Sequence, residues 1–253
     1  MTAGAAPPDV VPVTASHAQG MAERSVAAAL HRALDGERTL HAWAESQPGA
    51  RAFQGRATAW AVALGPERVV VRHSTHGGVL APVTGDLFRA PTRAPVEMDT
   101  SRRILSLGIP TPEVLAYVVY PAALGFARAD IATREVPGGE DLLAALARAG
   151  VEERRARILP AVRVLLDAMA AGGVTHPDLN VKNVLLAPDA GGAPVAWVLD
   201  TDVVTFGAPH DGALDAANRA RLARSLEKRA AKFSVPLGAA DFALLGLVAE
   251  GPA

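Results

Sequence analysis

The stretch from His176 to Asp202 constrains this chain more than any other. Four polar residues, His176, Asp178, Asn180 and Asn183, are followed at once by the apolar run Val184-Leu185-Leu186, a turn at Asp189-Ala190-Gly191-Gly192, and a second apolar run over 195–199 that ends in Asp200-Thr201-Asp202. Short apolar runs bounded by turn residues indicate buried strands. One strand therefore begins immediately after Asn183, and another stops immediately before Asp200.

The rest of the chain sorts around this segment. With 253 residues, half of them hydrophobic, and 25 Lys+Arg against 26 Asp+Glu, the composition is that of a globular protein with a substantial core rather than a fibrous, disordered or strongly basic one. Residues 1–20 are small, proline-containing and aperiodic, so they are expected to form a disordered tail. Helical spacing over 22–34 stops at Gly36; strand-like runs follow over 51–74, then loop over 73–95, a helix over 96–107 and two further strands over 114–120 and 127–136. Pro137-Gly138-Gly139 breaks the pattern as a hinge, and helices over 140–149, 151–171 (interrupted by Pro160) and 212–232 dominate the remainder. The expected fold is α+β in two lobes: a β-rich lobe with one principal helix at 21–137 and a mainly helical lobe at 138–253.

Asp178 and Asn183 lie five positions apart, and Asp200 stands seventeen residues beyond Asn183. Singly, each suits a turn or loop end. As a spaced set they match what phosphoryl transfer requires: one carboxylate to accept or orient the acceptor hydroxyl, and an Asn and a second carboxylate to hold Mg²⁺ against nucleotide phosphates.

On these residues the sequence resembles the protein-kinase-like superfamily and, within it, the bacterial lipopolysaccharide kinases of the 3-deoxy-D-manno-octulosonic acid (Kdo) kinase type. The resemblance covers about residues 51–228. It is carried by His176-x-Asp178-Leu179-Asn180-x-x-Asn183, Leu199-Asp200-x-Asp202, Val71-Arg72-His73 leading to Gly77-Gly78, the helix around Glu97 ending Leu107-Gly108-Ile109-Pro110-Thr111-Pro112, and Asn218-Arg219-Ala220-Arg221-Leu222 with Ser225-Leu226-Glu227-Lys228. The resemblance implies a two-lobed kinase fold using ATP and Mg²⁺. Asp178 would be the catalytic base, Asn183 and Asp200 the metal ligands, and His176 the residue shaping the catalytic loop. Gly55 would sit in the nucleotide-covering loop, with Arg72 and Glu97 where protein kinases place the phosphate-pairing lysine and its helix partner. Only Lys182, Lys228 and Lys232 are lysines, so no lysine is available at that strand position, and an arginine pairs with phosphate through a larger, planar fork.

With 51 residues after Asp202, there is little chain for a peptide-docking platform, which favours a glycolipid or small-molecule sugar acceptor; the resemblance makes it the Kdo of Kdo–lipid A. Such an acceptor would place the protein in the cytoplasm, in peripheral contact with the inner membrane. Arg102-Arg103, Arg154-Arg155-Arg157 and the basic stretch 219–232 are candidate contacts. The N-terminus lacks a signal peptide pattern, and the longest apolar stretch, 114–127, is shorter than the about 18 residues of a membrane span. Aromatic content of 4% speaks against stacking-based nucleic-acid binding, and the histidines show no paired metal-ligand spacing; His73 and His76 read as loop surface. Two alternatives stay open: an aminoglycoside- or choline-type phosphotransferase, and a catalytically inactive nucleotide-binding scaffold. The pattern says nothing of oligomeric state.

Overall fold

A computed structural model of the chain describes residues 9–54, 57–75, 86–233, 235 and 237–247, so Gly55, His76 and Gly77-Gly78 lie outside the described residues. The fold is a mixture of helices and antiparallel sheets that divides into two units, residues 1–99 with 113–135 and residues 100–112 with 136–253.

The first unit corrects the expected tail over residues 10–20, residues 1–8 lying outside the described residues. Val10–Ala15 (β1) and Ala18–Glu23 (β2) form an antiparallel hairpin, and β2 pairs in turn with Val114–Pro121 (β7). Pro12 is tolerated because β1 is an edge strand. Gly20 lies opposite Val118, and a Cβ there would stand 2.0 Å from the Tyr117 carbonyl oxygen, so the close approach of the two backbones requires glycine.

Helix α1 (Arg24–Ala33) leaves β2 directly, and its residues Val26, Ala29, Leu30 and Ala33 are buried at helical spacing. A second helix, α2 (Leu40–Glu45), is too short for sequence periodicity to reveal; Thr39 caps it by accepting from Ala42 N at 3.1 Å. Strands β3 (Arg51–Phe53), β4 (Ala59–Leu64), β5 (Glu67–His73), β6 (Phe88–Arg89) and β8 (Phe126–Arg134) complete an eight-stranded sheet, ordered β1-β2-β7-β8-β5-β4-β3 with β6 on β8. Val62, Leu64, Val69, Val71, Leu115 and Val118 join the buried face of α1 in one core.

Helix α3 (Ala94–Ser106) begins in the first unit and ends in the second. Its end, with the following loop to Pro112, groups with the second unit rather than with the lobe that chain order would suggest. Ile104 and Ile109 explain this: both are fully buried in the second unit's core among Leu142, Leu166 and Val174. Asp141 at the end of β9 (Glu140–Asp141) caps α4 (Leu142–Arg148). The buried Arg154 closes the other end of that helix, donating to Leu146 O and Ala149 O at 3.1 and 3.2 Å. A π-turn at Arg154–Ile158 precedes α5 (Leu159–Ala171), where Pro160 is accommodated in the first turn. Strands β10 (Val174–Thr175), β11 (Val184–Pro188), β12 (Pro194–Val198) and β13 (Thr205–Phe206) form two small sheets, β12-β11-β9 and β10-β13. Helices α6 (Gly212–Lys232) and α7 (Ala239–Leu244) complete the described chain.

Candidate active site

In the second unit, His176 organises the loop between β10 and β11. The imidazole is fully buried; Asp178 N donates to its Nδ1 at 3.2 Å, so Nε2 carries the hydrogen and donates to Leu199 O at 3.0 Å. The same residue's backbone N–H donates to Asn218 Oδ1 at 3.1 Å, and Asn218 Nδ2 donates to Val174 O at 2.8 Å. One imidazole and one amide thus fix both flanks of the loop to elements distant in sequence. Asp178 is exposed at the loop's crest. Its carboxylate is the accessible acid of the loop between β10 and β11.

Asn183 is buried, and its Nδ2 donates to Asp178 O at 2.8 Å, which leaves Oδ1 as the amide's accepting atom. Leu199 N donates to Asn183 O at 2.9 Å, extending the β11–β12 pairing by one step beyond Val184 opposite Val198. Asn183 and Asp200 are therefore brought to the same end of a two-stranded ladder. Asp200 is exposed and turns the chain in the left-handed region, φ 60° and ψ 56°, a conformation that Asp tolerates better than most residues. The donor set here, a carboxylate and an amide oxygen, suits a hard divalent cation that keeps water and phosphate as further ligands. Among the described residues no group of three or more His, Asp or Glu side chains forms a self-sufficient metal cage.

In the first unit, Arg72 on β5 donates from Nη2 to Oε1 of Glu97 on α3; Glu97 is buried and Arg72 partly exposed. The next residue along β5 departs from expectation. His73 is not loop surface: its Nδ1 pairs with Asp130 Oδ1 directly across the sheet, and its Nε2 lies 3.0 Å from Asp86 Oδ2. Asp130 is fully buried, and its Oδ2 accepts from Tyr120 OH at 2.9 Å and from His41 N at 2.8 Å. His41 Nε2 in turn donates to Thr58 O at 2.8 Å, and Tyr120 OH accepts from Leu40 N at 2.7 Å. The hydrogen bond to Asp130 raises the His73 pKa above its ordinary 6.5 against the opposing cost of burial, with Asp86 adding to the rise. Burial of Asp86 is outweighed by His73 and Arg128, which hold its pKa below the ordinary carboxylate range. Burial, with Asp130 beside it, keeps the Tyr120 hydroxyl protonated.

The sequence-derived set therefore falls in two places: His176, Asp178, Asn183 and Asp200 in the second unit, Arg72 and Glu97 in the first; Gly55 lies outside the described residues. Sequence reasoning missed Asn218 as the anchor of His176 and missed the Asp130 network altogether. No local signal announces Asp130, which lies 57 residues from His73 in the chain.

The profile of the lipopolysaccharide kinase (Kdo/WaaP) family matches residues 40–234. A 3-deoxy-D-manno-octulosonic acid kinase of Vibrio parahaemolyticus is 25% identical over 207 residues, 80% of this chain and 83% of its own. One from Xylella fastidiosa is 30% identical over 207 residues, 79% of this chain and 78% of its own. Among solved structures, a WaaP in complex with acyl carrier protein superposes with a TM-score of 0.53 at 17% identity, covering 85% of this chain and 83% of that one, which shows a shared kinase-like fold. With the family profile spanning both the Arg72–Glu97 pair and the His176–Asp200 segment, the chain belongs to the lipopolysaccharide kinase (Kdo/WaaP) family.

Proposed function

We propose that this protein is an ATP-dependent phosphotransferase acting on a sugar hydroxyl of a lipopolysaccharide precursor, with the Kdo of Kdo–lipid A as acceptor. The observation that carries the reading is the His176-centred set of hydrogen bonds, which holds the exposed Asp178 in the same loop as Asn183 and ties that loop to Leu199, the neighbour of Asp200. Catalysis by such a set is chiefly positioning and charge stabilisation. Asp178 accepts the proton of the attacking hydroxyl as its oxygen bonds to the γ-phosphorus and the bond to the ADP oxygen breaks. His176, buried, positions Asp178 by accepting that residue's backbone N–H at Nδ1.

Membership of a kinase family implies ATP as the phosphoryl donor. Asn183 and Asp200 would hold Mg²⁺, which when bound neutralises charge on the nucleotide phosphates. Arg72, steadied by Glu97, would pair with phosphate oxygens in bidentate fashion. No helix among the described residues is long and apolar enough to cross a membrane. With a glycolipid acceptor, the protein would work as a peripheral enzyme at the cytoplasmic face of the inner membrane.

The test is transfer of label from γ-labelled ATP to Kdo–lipid A, to an aminoglycoside and with no acceptor. Label on Kdo–lipid A alone is the expected result. Label on the aminoglycoside alone would move the acceptor assignment, and no Mg²⁺-dependent transfer or nucleotide binding would overturn the reading.

A further inference from the structure

Helix α6 is stitched to the catalytic loop along one line. Asn218 contacts Val174 and His176, and two turns later Ser225 Oγ accepts from Val181 N at 3.2 Å. At about 100° per residue, Arg221 lies about 60° around the axis from Asn218 and about 40° from Ser225, on one flank of that line. Its Nη1 is buried and has no hydrogen-bond partner. No carboxylate pairs with it among the described residues.

The opposite flank shows how a structural arginine on this helix is treated. Arg219 pairs with Asp215 at 2.8 Å and Asp167 at 2.5 Å and donates to Leu245 O at 2.9 Å. Every nitrogen of that guanidinium is engaged. Continuing from Arg221, the helical positions on the same flank are Arg224 and Lys228, both exposed, and the catalytic loop adds the exposed Lys182. None of these has an ion-pair partner among the described residues. A desolvated guanidinium nitrogen with no acceptor is costly unless a ligand supplies one, and a flank of uncompensated cations on the helix that packs against the loop of Asp178 attracts anions.

We propose that Arg221 is an acceptor-binding residue that reads an anionic group on the sugar substrate, with Arg224, Lys228 and Lys182 extending the positive surface around it. This rests on the reading of the protein as a kinase of an acidic glycolipid, and it adds the residue that selects for acidity. Carboxylate and phosphate satisfy a guanidinium alike; the acceptor offers both, the carboxylate on Kdo and the phosphates on lipid A.

The experiment measures acceptor and ATP KM for wild type, Arg221→Gln and Arg221→Lys on three acceptors: Kdo–lipid A, the same compound with its lipid A phosphates removed, and the same compound with the Kdo carboxylate esterified. Arg221→Gln should raise the KM for Kdo–lipid A about 10- to 100-fold while changing the KM for ATP less than about twofold, and Arg221→Lys should recover part of the loss. The penalty should vanish on whichever derivative lacks the anion that Arg221 reads. Wild-type transfer with an unchanged acceptor KM in Arg221→Gln would overturn this inference alone, as would a penalty equal on all three acceptors. No transfer by wild type to any of them would overturn the underlying reading and this inference with it.

Discussion

His176 Nε2 donates to the carbonyl of Leu199 across 3.0 Å, and through that bond the loop carrying Asp178 is fastened to the residue that joins β12 to Asp200. His176 is fully buried, so its ring has no water to fall back on, while Leu199 is half-buried. A single imidazole therefore sets the relative position of the proposed base and a proposed metal ligand.

His176→Phe keeps the bulk of the ring and deletes both hydrogen bonds. Leaving Asp178 N and Leu199 O without their partner should cost about 1–3 kcal/mol for each group that stays buried. Urea unfolding should show that loss, and kcat should fall at least tenfold in the folded fraction. Unaltered stability and turnover would contradict the organising role.

Asp178→Asn tests the base. The side chain is exposed, so the unfolding midpoint should stay close to that of wild type, while kcat falls by about a hundredfold to ten-thousandfold. A coupled ADP-release assay at saturating ATP and acceptor checks this, and near-normal turnover would rule out Asp178 as the base.

Arg72→Ala removes the guanidinium that would meet the nucleotide. The KM for ATP should rise about 10- to 100-fold, the equivalent of a lost charge-assisted interaction, with acceptor KM little changed. Equal ATP affinity in the variant, measured by calorimetric titration, would show that Arg72 does not face the phosphates.

His73 gives the fold a pH signature. Its pKa is raised by Asp130 and Asp86, so the stabilisation it contributes is fully present below pH 6.5, the ordinary value, and is lost as pH rises through the elevated one. Asp86 acts oppositely, its lowered pKa giving stability above the ordinary 3.8 that disappears as pH falls through the lower value. Unfolding free energy should therefore decline from pH 6.5 upward in wild type, and His73→Gln should flatten that limb. The same slope in the variant would exclude His73 as its source.

Gly20→Val tests whether the first strands belong to the sheet. The added side chain would collide with the Tyr117 carbonyl, costing about 1–3 kcal/mol, and should expose residues 10–23 to limited proteolysis. Wild-type stability would mean that β2 does not pair with β7 in solution.

How much of this was legible in the sequence depended on how far each residue's partner lay. The segment from His176 to Asp200 could be read because its polar and apolar residues alternate in blocks within one short stretch, and its strands pair with each other. The hairpin at 10–23 could not, because its partner strand β7 begins at Val114 and its own residues are small and weakly patterned. His73 looked like an ordinary loop histidine because the two carboxylates that bracket it are contributed by other elements. Residues 100–112 were assigned by chain order to the first lobe, whereas the burial of Ile104 and Ile109 decides their grouping.

The kinship boundary and the folding boundary of this chain do not coincide. The match to the family profile starts at residue 40, but Val26 and Leu30 of α1 are interior residues, and β2 covers the backbone edge of β7. A fragment cut where the likeness begins would lose part of its interior and bare a strand edge ready to pair with another copy. Expression of this protein should therefore retain residues 10–39, which precede the match to the family profile.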